Sequence, residues 1–147
     1  MRELAVELPG GTVRGLRWGE AGRPPVLALH GWLDNAASFV PLAAHLEGIE
    51  LVAIDLPGHG RSAHLPPGAD YSFAAAVHLV LDVADALGWE RFALLGHSMG
   101  AGISSLVAAA CPERVRRLVA IEALGALPDP PENTVPRLRQ AVASTRA

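Results

Sequence analysis

Leu94-Leu95-Gly96-His97-Ser98-Met99-Gly100 is the stretch of sequence that decides the fold. It places a serine in the pattern Gly-x-Ser-x-Gly, directly after an apolar run at residues 92–95 and directly before a helical pattern that Pro112 ends. A serine in a sharp turn between a buried strand and a helix projects clear of the sheet, and the flanking glycines remove side chains that would clash there. The pattern predicts that Ser98 is a nucleophile in such a turn.

The runs around this turn predict an α/β fold. Continuous apolar runs at residues 26–29 and 51–54 are typical of strands buried on both faces, and residues 115–121 are assigned to a further strand of this kind. Helical patterns alternate with these strands, which favours a mostly parallel sheet with helices on both faces. At the N-terminus, residues 4–8 and 12–18 are β-type runs, and the turn Pro9-Gly10-Gly11 between them predicts an antiparallel hairpin.

Helix starts are indicated by residues whose side chains accept hydrogen bonds from free backbone N–H groups. Gly88 is expected to end the second helix, and the third is expected to run over residues 98–111. The composition changes after residue 125, so we expect a core domain at residues 1–127 and the start of a lid at residues 128–147. The expected helix caps are Asn35 or Ser38, Ser72, and Asn133 or Thr134.

Composition excludes several classes of function. The chain has 147 residues, half of them hydrophobic, and a net charge of −3 without a basic block, which argues against nucleic-acid binding. The single cysteine, Cys111, allows no intrachain disulfide and no cysteine-based metal site. Residues 92–111 are uncharged and long enough to span a membrane, but their glycines and serines favour a strand, a turn and a buried helix. We expect a cytoplasmic protein with no membrane span, metal or cofactor.

Two further motifs carry a family resemblance. His30-Gly31-Trp32 follows the first buried strand, and Asp55-Leu56-Pro57-Gly58-His59-Gly60-Arg61-Ser62 follows the second. Together with the Ser98 turn they occur in the order found in α/β-hydrolases, and the chain resembles the N-terminal half of that family over about residues 3–125. The run His-Gly-Trp-Leu-Asp-Asn at residues 30–35 is most similar to the serine hydrolase-like proteins.

The resemblance implies an oxyanion hole and a small-molecule substrate. In this family the N–H after the His-Gly pair and the N–H after the nucleophile bind the oxyanion, and these map to Trp32 and Met99. The side chains of His30 and His59 are expected to be structural. Asp55 and Arg61 are expected to pair and hold their loop.

The general base is missing from its family position. The family's order is serine, then acid, then histidine, yet all six histidines precede Ser98. Glu122, directly after the strand that follows the nucleophile helix, is a candidate acid because some α/β-hydrolases carry theirs there. Its alternative role is to line the mouth of the pocket.

These features predict a serine hydrolase that acts on carboxylic esters through an acyl-enzyme. We expect the chain to be a truncated fragment, inactive or nearly so alone, with its last strand at an exposed sheet edge that invites self-association. The alternative is a non-catalytic pseudo-hydrolase that serves as a binding module.

Overall fold

The computed structural model describes residues 1–123 and 130–146. Its strands are β1 (Arg2–Leu8), β2 (Gly11–Trp18), β3 (Pro25–Leu29), β4 (Glu50–Ile54), β5 (Phe92–His97) and β6 (Val115–Ile121). Its α-helices are α1 (Val40–Ala43), α2 (Phe73–Ala86), α3 (Met99–Ala110) and α4 (Pro131–Arg146), and a 3-10 turn at Ala36–Phe39 leads into α1.

The strands form a six-stranded sheet in the order β1-β2-β4-β3-β5-β6. The hairpin β1–β2 is antiparallel, and β2 joins β4 antiparallel, whereas β4, β3, β5 and β6 are parallel. The expected fold class is therefore confirmed. Since β4 and β5 lie on opposite sides of β3, the order reverses at β3, and ligands of such sheets bind beyond the carboxyl ends of the strands at that reversal.

Helices cover the two faces of the sheet unequally. Residues alternate between faces along a strand, so Leu27 and Leu29 pack with α2 and α3 in one hydrophobic cluster, and Ala28 packs with Phe39 in the other. The larger cluster, under α2 and α3, holds Phe92 and most of the bulky buried side chains. The face of the sheet under α2 and α3 therefore carries the larger part of the hydrophobic core.

The helix starts agree with the sequence in part. Ser72 caps α2 by accepting a hydrogen bond from the Ala75 N–H, as expected. Asn35 caps the 3-10 turn instead of a long helix, and the α-helical part that follows has only four residues. The last helix begins at Pro131, before the expected caps Asn133 and Thr134, and proline suits a first helical position because it needs no N–H partner there.

Two predictions from the sequence concern the uncharged segment at residues 92–111 and the strand at the edge of the sheet. Residues 92–111 form β5, the turn and α3, and no helix within 1–123 and 130–146 has the length and apolar character of a membrane span. Strand β6 lies at the edge of the sheet, where the side chains of Val119 and Ile121 are exposed. The expected domain boundary at 127/128 lies outside the described residues.

Candidate active site

Ser98 occupies a strained turn between β5 and α3. Its backbone has φ 51° and ψ −114°, in the positive-φ region that non-glycine residues rarely adopt. The Ser98 N–H donates to the Ile121 carbonyl at 3.0 Å, and the Ser98 carbonyl accepts from the N–H groups of Ala101 and Gly102. Hydrogen bonds on both sides hold the strained residue, which is typical of a functional site.

Glycines flank Ser98 because backbone lies against both of them. A Cβ on Gly96 would lie 2.5 Å from the Cα of Ala101 in the first turn of α3. A Cβ on Gly100 would lie 2.1 Å from the carbonyl oxygen of Leu29 at the end of β3. Side-chain atoms cannot approach backbone so closely, so the Gly-x-Ser-x-Gly pattern is a steric requirement of this fold.

The turn after β3 faces the Ser98 turn. A Cβ built on Gly31 would lie 3.5 Å from the Cβ of Ser98, so the two backbones are neighbours. Trp32 follows Gly31, and Met99 is the first residue of α3, whose N–H has no carbonyl partner within its helix. No backbone hydrogen bond joins the N–H of Trp32 or Met99 to another described residue. Trp32 and Met99 thus each adjoin the Ser98 turn.

His30 has a structural role, in agreement with the sequence analysis. It is fully buried, and its Nε2 accepts the Leu56 N–H at 3.0 Å, so the ring proton resides on Nδ1, which donates to the Gly31 carbonyl at 2.7 Å. Burial lowers the pKa of this imidazole below its ordinary 6.5 and keeps it neutral. His30 thus ties the turn after β3 to the loop after β4.

The loop after β4 is held by Asp55 in a different way from that expected. The buried carboxylate accepts the N–H of Ala36 at 2.7 Å and the backbone N–H of Arg61 at 2.8 Å. The guanidinium of Arg61 instead pairs with Glu3 on β1. The expectation of an Asp55–Arg61 side-chain pair is therefore wrong, because the loop brings the backbone of Arg61 to the carboxylate and sends its side chain outward.

His59 packs beside the turn after β3. Its ring lies 5.1 Å from that of His30 and edge-on to Trp32 at 5.6 Å. Its Nδ1 is 3.1 Å from the Pro57 carbonyl, and its buried Nε2 has no hydrogen-bond partner among the described residues. The His59 ring therefore packs against the indole of Trp32.

Glu122 pairs with His97, a contact that the sequence analysis did not anticipate. The Nε2 of His97 is 3.0 Å from the Oε2 of Glu122, and both side chains are partly exposed. Glu122 has φ 72°, which turns the chain sharply where β6 ends. The candidate acid therefore lies beside the Ser98 turn, with the histidine before Ser98 as its partner. Only the pairing of His97 with Ile121 across β5 and β6 would have indicated this contact.

A cavity of about 1060 Å³ opens beside Ser98. Ser98, Met99 and Trp32 lie in its wall, together with the loop at residues 56–65 and the first turns of α2. Its volume lies slightly above the usual range of ligand pockets, about 300 to 1,000 Å³. In the part of the chain that the structure describes, no group of three His, Cys, Asp or Glu side chains is placed to hold a metal ion.

Comparisons with known proteins point to one family. Residues 24–146 match the model of the alpha/beta hydrolase fold. A serine hydrolase-like protein of Danio rerio is 39% identical over 141 residues, which are 95% of this chain and 43% of that protein. A serine hydrolase-like protein of Homo sapiens is 40% identical over 121 residues, 82% of this chain and 60% of that protein.

Solved structures give the same result. A hypothetical protein from Pseudomonas aeruginosa PAO1 superposes with a TM-score of 0.93 at 44% identity, covering 100% of this chain and 52% of that one. A thioesterase domain from the curacin biosynthetic pathway superposes with a TM-score of 0.83 at 32% identity, again over 100% of this chain and 52% of that domain. The chain thus spans about half the length of several proteins it matches.

Proposed function

The chain belongs to the α/β-hydrolase family, and from this premise we propose that it carries the nucleophile and the oxyanion hole of a serine hydrolase acting on carboxylic esters. The observation that carries the proposal is the strained backbone of Ser98, held at φ 51° opposite the turn that contains Trp32. Relatives named as serine hydrolase-like proteins, and the thioesterase domain with the same fold, support acyl transfer.

In this mechanism Ser98 forms an acyl-enzyme. The Ser98 Oγ attacks the ester carbonyl carbon and loses its proton to a general base, while the N–H groups of Trp32 and Met99 hold the developing oxyanion. Collapse of the tetrahedral intermediate releases the alcohol, which takes the proton from the base. Water then attacks the acyl-enzyme by the same route and releases the acid.

All six histidines of these 147 residues precede Ser98. The chain therefore has no histidine at the family position of the general base. We propose that the whole protein supplies this histidine and that Glu122 orients it, which requires the Glu122 carboxylate to exchange His97 for the base. Alone, the chain is then inactive or nearly so, because an oxyanion hole without a base leaves only residual catalysis.

Residues 128–147 form the start of a lid in this proposal. Helix α4 carries Val135, Leu138 and Val142 at spacings that share one face, and all three side chains are exposed. A helix with one unpartnered apolar face suits a segment that closes over a substrate cavity.

Chemical rescue tests the nucleophile. Imidazole added to the solution replaces the missing base, so a fluorophosphonate should label the chain at a rate that rises with imidazole concentration. Intact-mass and peptide mass spectrometry locate the adduct, which we expect on Ser98. Ser98→Ala should remain unlabelled, and Ser105→Ala, on the same helix, should be labelled like the wild type. Equal labelling of the wild type and Ser98→Ala, or no dependence on imidazole, would refute the proposal.

The alternative function is a pseudo-hydrolase that binds ligands without turnover. The reading frame beyond residue 147 discriminates between the two. A histidine after a further strand supports the hydrolase, and a stop codon supports the pseudo-hydrolase.

Self-association through the β6 edge is a separate proposal. The exposed Val119 and Ile121 lie on an edge strand, which presents unpaired backbone groups to other strands. Sedimentation velocity should reveal association that Val119→Lys reduces; a monomer at all concentrations would contradict it.

The cytoplasmic location expected from the sequence stays a prediction.

A further inference from the structure

The cavity beside Ser98 is walled by apolar side chains along most of its surface. They come from segments far apart in the sequence: the β1–β2 hairpin, the turn after β3, the loop after β4, α2 and α3. Aliphatic and phenyl side chains among them include Leu8, Val13, Leu65, Phe73, Leu79 and Ile103.

The charged groups of the wall are acidic or imidazole groups. Asp70 and Asp82 line the cavity, and none of the twelve arginines of this lysine-free chain lies in the described wall. The Ser72 hydroxyl and N–H both donate to the Asp70 carboxylate and lower its pKa, so Asp70 is ionised at neutral pH. A negatively charged substrate would meet repulsion here and no cation to compensate it.

The hydroxyl of the one tyrosine in the described wall already takes part in a hydrogen bond. The Tyr71 hydroxyl accepts the Leu65 N–H at 2.7 Å. The ring of Tyr71 packs against Gly58, where an added Cβ would lie 3.2 Å from Cε1. Tyr71 therefore joins α2 to the loop after β4 and closes one side of the cavity with its ring.

From this wall we propose that the cavity selects uncharged esters with an extended aliphatic chain, which lies between α2 and the loop after β4 while the ester carbonyl lies at Ser98. The inference deepens the proposed function and rests on it for the ester carbonyl. The apolar wall supplies affinity in proportion to the chain that it buries. The two exposed aspartates disfavour chains with an acidic end, by an amount that solvent screening keeps small.

Binding of methyl alkyl ketones tests this without any need for turnover. The ketones present a carbonyl with one alkyl chain, and amide NMR titration of the 147-residue chain yields both Kd and location. From methyl ethyl to methyl butyl to methyl hexyl ketone, Kd should fall about three- to fourfold per added methylene. The shifted amides should lie in α2, the loop after β4 and the Ser98 turn. A keto-carboxylate of matched length should bind more weakly than the ketone.

Two variants sharpen the experiment. Phe73→Glu places an acid at the exposed first position of α2, where a helix N-terminus tolerates negative charge. This substitution should raise the Kd of methyl hexyl ketone roughly four- to tenfold. Leu42→Glu makes the same change on α1, where a half-exposed leucine lies outside the cavity on the other face of the sheet, and should leave Kd unchanged.

The outcomes separate this inference from the proposed function. No gain with chain length, tighter binding of the keto-carboxylate, or shifts centred outside the cavity would overturn the inference. The titration is repeated on Ser98→Ala, in which the fall of Kd with chain length should persist, because the alkyl chain lies between α2 and the loop after β4. If Ser98 fails to be labelled while the dependence on chain length persists, the hydrolase proposal falls and the aliphatic site stands.

Discussion

Gly100→Ala tests whether the contact between α3 and β3 sets the position of Ser98, the proposed nucleophile. Gly100 has no positive φ, so alanine suits its backbone conformation, and the obstacle is purely steric. The added Cβ would lie 2.1 Å from the oxygen and 2.5 Å from the carbon of the Leu29 carbonyl, and 2.7 Å from the His30 oxygen. All three atoms belong to backbone in the middle of the sheet.

The magnitude follows from the displacement that relieves this contact. Ordinary contact begins at 3.4 Å, so the N-terminus of α3 must move away from β3 by more than an ångström. A gap of about 0.5 to 1 Å already forfeits a quarter to a half of a dispersion contact. Overpacking a core costs about 1 to 3 kcal/mol and occasionally more, and alanine returns about 1 kcal/mol in helix propensity. Because the overlap exceeds an ångström and the opposing atoms are backbone, we take the upper end of this range, about 3 kcal/mol, and expect a net loss of about 2 kcal/mol in the free energy of unfolding.

Urea unfolding followed by circular dichroism measures this loss, and Gly88→Ala is the matched control. Gly88 has φ 73° and nothing within 4 Å of an added Cβ, so its substitution costs only the left-handed conformation, about 1 to 2 kcal/mol. If Gly100→Ala is no more destabilising than Gly88→Ala, then α3 shifts freely, and the contact with β3 does not position Ser98. Fluorophosphonate labelling with imidazole should also be slower in Gly100→Ala, because the N–H of Met99 moves with α3.

Three further predictions concern the same region. Ser98→Gly should be more stable than Ser98→Ala by about 1 kcal/mol in urea unfolding, because glycine adopts φ 51° without strain; equal stabilities would show that the turn is unstrained. Asp55→Ala should lose about 3 kcal/mol, since a buried N–H of Ala36 and a part-buried N–H of Arg61 lose a charged acceptor, and a loss below about 1 kcal/mol would contradict that role. His30 has a lowered pKa, so the unfolded chain takes up its proton first as pH falls below 6.5, and stability should decrease from there to the folded-state pKa. Urea midpoints across this range should lose part of that slope in His30→Gln and keep it in the exposed His45→Gln.

Local patterns were sufficient where neighbours in sequence are also neighbours in space. The Ser98 turn joins a strand and a helix that adjoin it in the chain, and the Ser72 cap acts within one helical turn. The same reasoning overestimated the first helix, because Asn35 caps a 3-10 turn followed by a four-residue α1. The strength of a cap does not determine how far the helix after it continues.

Contacts between distant segments were beyond such reasoning. Glu122 was identified as a candidate acid from its place after a strand, but its contact with His97 depends on β5 and β6 being neighbours in register. The side chain of Arg61 was assigned to Asp55, although the turn of the loop directs it to Glu3. In each case the partner is selected by how the sheet is assembled.

By itself, the sequence determined the α/β fold, the family and the sharp turn at Ser98, because each is written in a short pattern whose physical meaning is local: apolar runs, alternating helices, and glycines around a serine. Only the tertiary structure decided what surrounds Ser98. It placed Trp32 and Met99 in the wall of one cavity, paired Glu122 with His97, and built an apolar wall from several separate segments. These arrangements arise when the sheet closes, and no single segment encodes them.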